Sequence, residues 1–131
     1  MATSSEFAIL IVEDQSLIAL GIEDAIRGSG GGLVGCAARL SEAFALIETA
    51  SWDAALLDIR LANGETAYPV AERLRAMGIP FAFLTAWDGD IDARYCDAPV
   101  LSKPFSEAEL QDCLRMLIGS GRYAAGERQV A

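Results

Sequence analysis

Histidine is absent from all 131 residues. That removes Ser-His and Cys-His nucleophilic catalysis and most zinc sites, which use imidazole as base or ligand. Cysteine is scarce as well. Cys36, Cys96 and Cys113 are odd in number, widely spaced and without a CxxC pair, so they read as small buried thiols and not as redox or metal groups. Positive charge is short: ten Lys and Arg stand against nineteen Asp and Glu, for a net charge of −9. Such a surface repels a phosphate backbone and argues against nucleic-acid binding. No apolar run approaches the roughly 18 residues of a membrane span. The amino terminus MATSSEF lacks the hydrophobic segment of a signal peptide, so a cytoplasmic location with no membrane attachment is expected.

What remains is a globular composition, 53% hydrophobic and 22% charged, long enough for one domain with a real core. Five short apolar runs read as strands: Phe7 to Val12, Leu33 to Ala37 (weakened by its glycine), Ala54 to Leu57, Phe81 to Leu84, and Val100 to Leu101. They lack in-out alternation, which indicates a parallel sheet covered on both faces. Helical spacing lies between them. Ile18, Ile22 and Ala25 share one face, as do Val70, Leu74 and Met77, while Leu110, Cys113, Leu114 and Leu117 mark the last helix. Ser106 and Glu109 form a capping box that starts that helix, and Ser41 is a candidate cap for the helix carrying Phe44 and Ile47.

Alternating strands and helices predict an α/β, flavodoxin-like doubly wound five-stranded parallel sheet of order 2-1-3-4-5. The fourth unit is irregular. Residues 86–98, with Asp88-Gly89 near the start and Pro99 after the end, leave room only for a short or poorly ordered fourth helix. The run Gly28 to Gly32 has no GK[ST] ending and follows a helix, so it reads as a turn and not a phosphate loop. Residues 1–118 are expected to form the domain, and the polar residues 119–131 a flexible tail.

In such sheets, sites form beyond the carboxyl ends of the strands. Those ends carry Glu13 and Asp14 after strand 1, Asp58 after strand 3, Thr85 after strand 4 and Lys103 after strand 5. Three carboxylates together need a cation, and hard oxygen ligands suit Mg²⁺. A lysine and a hydroxyl suit phosphoryl oxygens, and a central carboxylate can itself accept a phosphoryl group. Each residue also has an ordinary alternative: Asp14 as a helix cap, Thr85 as strand filling, Lys103 as a solvated charge.

With those residues in view, the stretches VED, LLDI, FLTA and LSKPF resemble the signature blocks of two-component response-regulator receiver domains, over about residues 7–118. The resemblance implies that Asp58 is the phosphoacceptor. Asp14 would ligate Mg²⁺ directly, Glu13 through water, and Arg60 through its backbone carbonyl. Thr85 and Lys103 would bind phosphoryl oxygens, with Lys103-Pro104 joined by a cis peptide. The loop wording LANGETAYPVAERLRAMGIPFAFLTAW is similar to the stand-alone alphaproteobacterial FAT-GUY subgroup, associated with histidine kinases of the HWE/HisKA2 type. One departure stands out: Val100 replaces the Tyr or Phe common in the family and reads as plain strand core. A change of order in the segment from Trp87 to Ala98 is the substitute switch this suggests, and Arg60 and Trp87 occupy positions that tune water access to the site.

The resemblance therefore implies a single-domain response regulator, not an enzyme acting on an external substrate. It would take a phosphoryl group from a sensor histidine kinase and signal by contact with a downstream protein, or act as a phosphorelay shuttle or sink. The alternatives are a phosphorylation-independent binding module and a Mg²⁺-dependent phosphohydrolase. Hydrolases of the haloacid-dehalogenase type want an Asp two residues past the nucleophile, where this chain has Arg60.

Overall fold

The structure is a computed structural model that describes residues 7–28, 32–86 and 91–130, with side chains through Gly119. Five strands, β1 (Ala8–Val12), β2 (Leu33–Ala37), β3 (Ala54–Asp58), β4 (Phe81–Thr85) and β5 (Val100–Ser102), form one sheet of order β2-β1-β3-β4-β5. Every pairing is parallel, with Ile9 facing Val34 and Ala54, Asp58 facing Leu84, and Leu84 facing Leu101.

The unbroken hydrophobicity of the strands has a direct cause. Along β1, Ile9 and Ile11 pack with Leu56, Leu84 and the helices α1 (Ser16–Gly28) and α4 (Glu107–Val130). Leu10 and Val12 point the other way, into Leu57 and Phe83 beneath α2 (Leu40–Ile47) and α3 (Tyr68–Ala76). Successive side chains leave a strand on opposite faces, so a sheet covered on both faces requires apolar residues at every position.

The helices follow the expected spacing with local differences. On α1 the buried residues are Ala19, Ile22 and Ile26, with Ile18 and Ala25 partly buried. Val70 and Leu74 are buried on α3, but Met77 lies just past the helix end and is exposed. Ser41 does not cap α2: the cap position is Arg39, and Ser41 sits inside the first turn. The Ser106–Glu109 box forms in both directions, Ser106 N–H donating to Glu109 Oε1 at 2.8 Å and Glu109 N–H to Ser106 Oγ at 3.0 Å. The α4 backbone continues to Val130, through residues 119–130. Ser29 to Gly31 of the glycine run, and Trp87 to Asp90, lie outside the described residues. No helix among the described residues is long and apolar enough to cross a membrane.

Two expectations are corrected. Cys36 and Cys96 are exposed and Cys113 is half-buried, all with free thiols. Cys36 lies on an edge strand and Cys96 ends a short turn, positions with core on one side at most. Val100 is not strand core either. It is 39% exposed, and Leu101 is the β5 residue that turns inward.

Between β4 and β5 the described residues contain no α-helix, only a 3₁₀ turn at Ala93–Tyr95. Aromatic packing replaces it. Tyr95 stacks on Tyr68 with ring centres 5.5 Å apart and meets Phe81 and Phe83 edge-on. The Arg75 guanidinium lies 4.8 Å from the Tyr95 ring centre, and the Tyr68 hydroxyl accepts the Asp92 N–H at 2.9 Å. This arrangement gives a segment too short for a helix its own buried anchor.

Candidate functional site

The strand order decides which polar residues meet. β1 and β3 are neighbours, followed by β4 and β5, so the residues just past their carboxyl ends share one side of the sheet. Glu13 follows β1 at only 3% exposure, its N–H donating to Ala37 O at 2.9 Å. Asp58 closes β3 and Thr85 closes β4, both buried. Lys103 follows β5, with its N–H donating to Thr85 O at 2.7 Å, and the next peptide, Lys103-Pro104, is cis.

Glu13, Asp14 and Asp58 each offer a carboxylate oxygen, and these atoms all lie within 4.8 Å of one another. Lys103 reaches into the group. Its Nζ donates to Glu13 Oε1 at 2.7 Å and to Asp58 Oδ2 at 3.3 Å. The other Glu13 oxygen, Oε2, accepts the Gln15 N–H at 3.1 Å. α1 begins at Ser16, so Asp14 lies two residues short of the helix.

Both partners of the short ion pair hold their protons more tightly than usual. Burial pushes the Glu13 carboxyl up, and the nearby Asp58 adds to this, outweighing Lys103 and the Gln15 N–H. Burial pulls Lys103 down, but Glu13 and Asp58 together overcome it and hold it above the ordinary lysine value. The two directions are compatible, because two carboxylates facing one ammonium leave an excess of negative charge that favours protons at each site.

The six expected residues thus divide. Glu13, Asp14, Asp58 and Lys103 converge side chain to side chain, and Thr85 is tied to Lys103 through the backbone. Arg60 lies two residues beyond Asp58, on backbone that folds back through a bridge to Thr66. Sequence reasoning passes over Glu65, whose Oε1 accepts the Leu40 N–H at the start of α2, 3.1 Å away. The available signal was indirect: Arg39 at the cap position has no side-chain oxygen to offer, so α2 needs its acceptor from elsewhere.

Comparison with known proteins agrees with this geometry. Residues 9–115 match the response regulator receiver domain. The phyllosphere-induced regulator PhyR of Methylorubrum extorquens is 30% identical over 114 residues, which cover 84% of this chain and 43% of that protein. The chain therefore spans less than half the length of this curated relative. The solution structure of SdrG from Sphingomonas melonis is 40% identical, with a TM-score of 0.78 over 88% of this chain and 99% of that one. The receiver domain of the Pseudomonas aeruginosa sensor histidine kinase PA1611, whose crystal structure holds a magnesium ion in the active-site cleft, is 33% identical. Its TM-score is 0.75, over 87% of this chain and 98% of that one. With the family matched along most of its length and the acidic cluster at the strand ends, this chain belongs to the response regulator receiver domain family.

Proposed function

We propose that the chain is a phosphoacceptor switch in which Asp58 takes a phosphoryl group from the phosphohistidine of a sensor histidine kinase, with Mg²⁺ held at the acidic cluster. The observation that carries this reading is the convergence of Glu13, Asp14 and Asp58 within 4.8 Å with Lys103 Nζ between two of them. Three carboxylates against one ammonium leave two negative charges, which suits a dication with oxygen ligands. Asp14 and Asp58, the Arg60 carbonyl, and Glu13 through water are the assigned holders, and the magnesium in the PA1611 receiver supports the choice of metal. Bound there, Mg²⁺ supplies neutralisation of the charge on the phosphoryl oxygens.

The protein's own groups do the rest. An Asp58 oxygen forms the new P–O bond as the donor's P–N bond breaks, and the departing imidazole takes a proton from solvent. Lys103, already within 3.3 Å of Asp58 Oδ2, holds one phosphoryl oxygen, and the Thr85 hydroxyl donates to another. A kinase of the HWE/HisKA2 type is the assigned donor. Its docking surface is a groove of about 670 Å³ bordered by Ile18, Gly21, Phe105 and Leu110 that reaches Lys103, beside Leu17 at 83% exposure. In this reading residues 1–118 are a cytoplasmic receiver of the FAT-GUY kind that signals through a downstream protein or as a relay shuttle or sink. A net charge of −9 argues against nucleic acid as the target.

Incubation with acetyl phosphate and Mg²⁺, read by intact mass, tests this. The expected result is one adduct of roughly 80 Da, a single phosphoryl group, that is lost in Asp58→Ala. No adduct points to a phosphorylation-independent binding module, and continuous release of phosphate from phosphate esters points to a hydrolase.

A further inference from the structure

We propose that Glu65 is a positioning residue for the metal seat: by capping α2 it fixes the backbone hairpin that presents the Arg60 carbonyl. The inference rests on the phosphoacceptor reading above and adds a residue that neither sequence motif nor acidic cluster contains.

After Asp58 the chain makes a tight hairpin. One arm is residues 59–61, the other 65–67, and Arg60 faces Thr66 as an antiparallel bridge. Two backbone bonds fasten the arms, Leu61 N–H to Glu65 O at 2.8 Å and Ala67 N–H to Ile59 O at 2.9 Å. The turn between them needs two consecutive left-handed residues, Asn63 at φ 62° and Gly64 at φ 76°, the residue types that adopt this conformation at least cost. Ile59, Leu61 and Ala67 are buried, so the inner side of the hairpin is held by the core.

Its outer side has a different anchor. The first N–H groups of a helix have no partner within the helix. At α2 the cap residue, Arg39, makes no side-chain cap bond, and Glu42 Oε1 instead accepts the Ala38 N–H at 2.8 Å. The Leu40 N–H is taken by Glu65 Oε1, a carboxylate 25 residues away placed at the positive end of the helix dipole. Glu65 therefore joins two βα loops, and a bond at one end of the hairpin limits how far Arg60, in the opposite arm, can shift. Loss of a group that orients a ligand from behind typically weakens metal binding by about 10- to 100-fold.

The test is the Mg²⁺ dissociation constant by calorimetry, alongside thermal unfolding, for the wild type, Glu65→Ala, Glu65→Gln and Glu65→Asp. Glu65→Ala should weaken Mg²⁺ roughly 10-fold. Glu65→Gln keeps an acceptor of the same reach and should restore affinity to within about twofold of the wild type, while Glu65→Asp falls short of Leu40 and should behave like the alanine variant. If Glu65→Ala is too unstable to titrate, the Gln and Asp pair makes the same comparison. Wild-type affinity in Glu65→Ala or Glu65→Asp, or equal weakening in all three variants, overturns the proposal and leaves the metal reading standing. A wild-type protein that binds no Mg²⁺ overturns both.

Discussion

Replacing Lys103 with methionine tests the electrostatics of the site without any phosphodonor. Methionine has similar length and volume, so the change removes charge with little loss of packing. Lys103 Nζ sits 2.7 Å from Glu13 and 3.3 Å from Asp58. At an effective dielectric near 20 these separations correspond to about 6 and about 5 kcal/mol of attraction before desolvation is subtracted. Removing one partner of a buried pair typically costs about 3–5 kcal/mol, because the charge left behind has neither water nor a counterion. The Lys103 side chain is 14% exposed and Glu13 none, so the pair lies at the rim of the interior and the low end applies, about 3 kcal/mol. For a domain of this size that lowers the melting temperature by roughly 10 °C. The assay is urea unfolding in EDTA, followed by tryptophan fluorescence and circular dichroism. The double variant Glu13→Gln/Lys103→Met separates charge from packing: it removes the stranded carboxylate and should recover at least about 1.5 kcal/mol of the loss. A Lys103→Met protein within about 0.5 kcal/mol of the wild type, or a double variant no more stable than the single, would refute the account.

Gly35→Ala places a Cβ 2.7 Å from Cη2 of Trp52, whose indole is held by its bond to Leu46 O, and should cost about 1–3 kcal/mol in the same urea assay. Tyr68→Phe keeps the ring stack but removes the acceptor of the Asp92 N–H. A loss of about 1 kcal/mol is expected, with faster hydrogen exchange at Asp92 and not along β3. Partial desolvation of the thiol, although the residue is exposed, together with Glu23 beside it, pushes Cys36 up to about 11 from an ordinary 9.0. Any stability from keeping that thiol neutral is complete below pH 9 and lost as pH rises toward 11. At pH 8 its thiolate is roughly 100-fold rarer than that of an unperturbed cysteine, so iodoacetamide labelling, read by mass, should be slow and should quicken in Glu23→Gln.

What the sequence revealed and what it hid divide along a physical line. Strand cores are legible because a doubly covered sheet forces continuous apolar runs, and β1 to β5 fall where those runs do. The site is legible for a related reason: a charge at the end of a buried strand is costly unless used, so Glu13, Asp58 and Lys103 stand out as soon as the strand order is known. Loops carry no such period. Gly35 reads as a weakness in β2, and only the structure shows it as the space Trp52 occupies. Ser41 has the right chemistry for a cap, but the helix begins one residue before it, and the acceptor arrives from Glu65 in a different βα unit. The cysteines were misplaced because average burial favours the core, whereas β2 is an edge strand and the turn ending at Cys96 is too short to enclose it.

Val100 joins these two lessons. Its sequence position suggested core, but β5 is an edge strand of three residues whose single inward position belongs to Leu101, so Val100 faces outward. The aromatic bulk of this part of the molecule lies instead in Tyr68 and Tyr95, on opposite sides of a 5.5 Å stack. Tyr68 directly follows Ala67, whose N–H is bound to Ile59 O in the hairpin beyond Asp58, while Tyr95 belongs to the turn before β5. The aromatic contact joining the loop after Asp58 to the rest of this face therefore runs from α3 into the β4–β5 connection, and not through the side chain at position 100. That connection is anchored by the Tyr68 hydroxyl bond, the Tyr95 ring contacts and the Arg75 guanidinium, with a 3₁₀ turn and no α-helix among its described residues. The Tyr68–Tyr95 stack is thus a side-chain link between the loop after Asp58 and the β4–β5 connection.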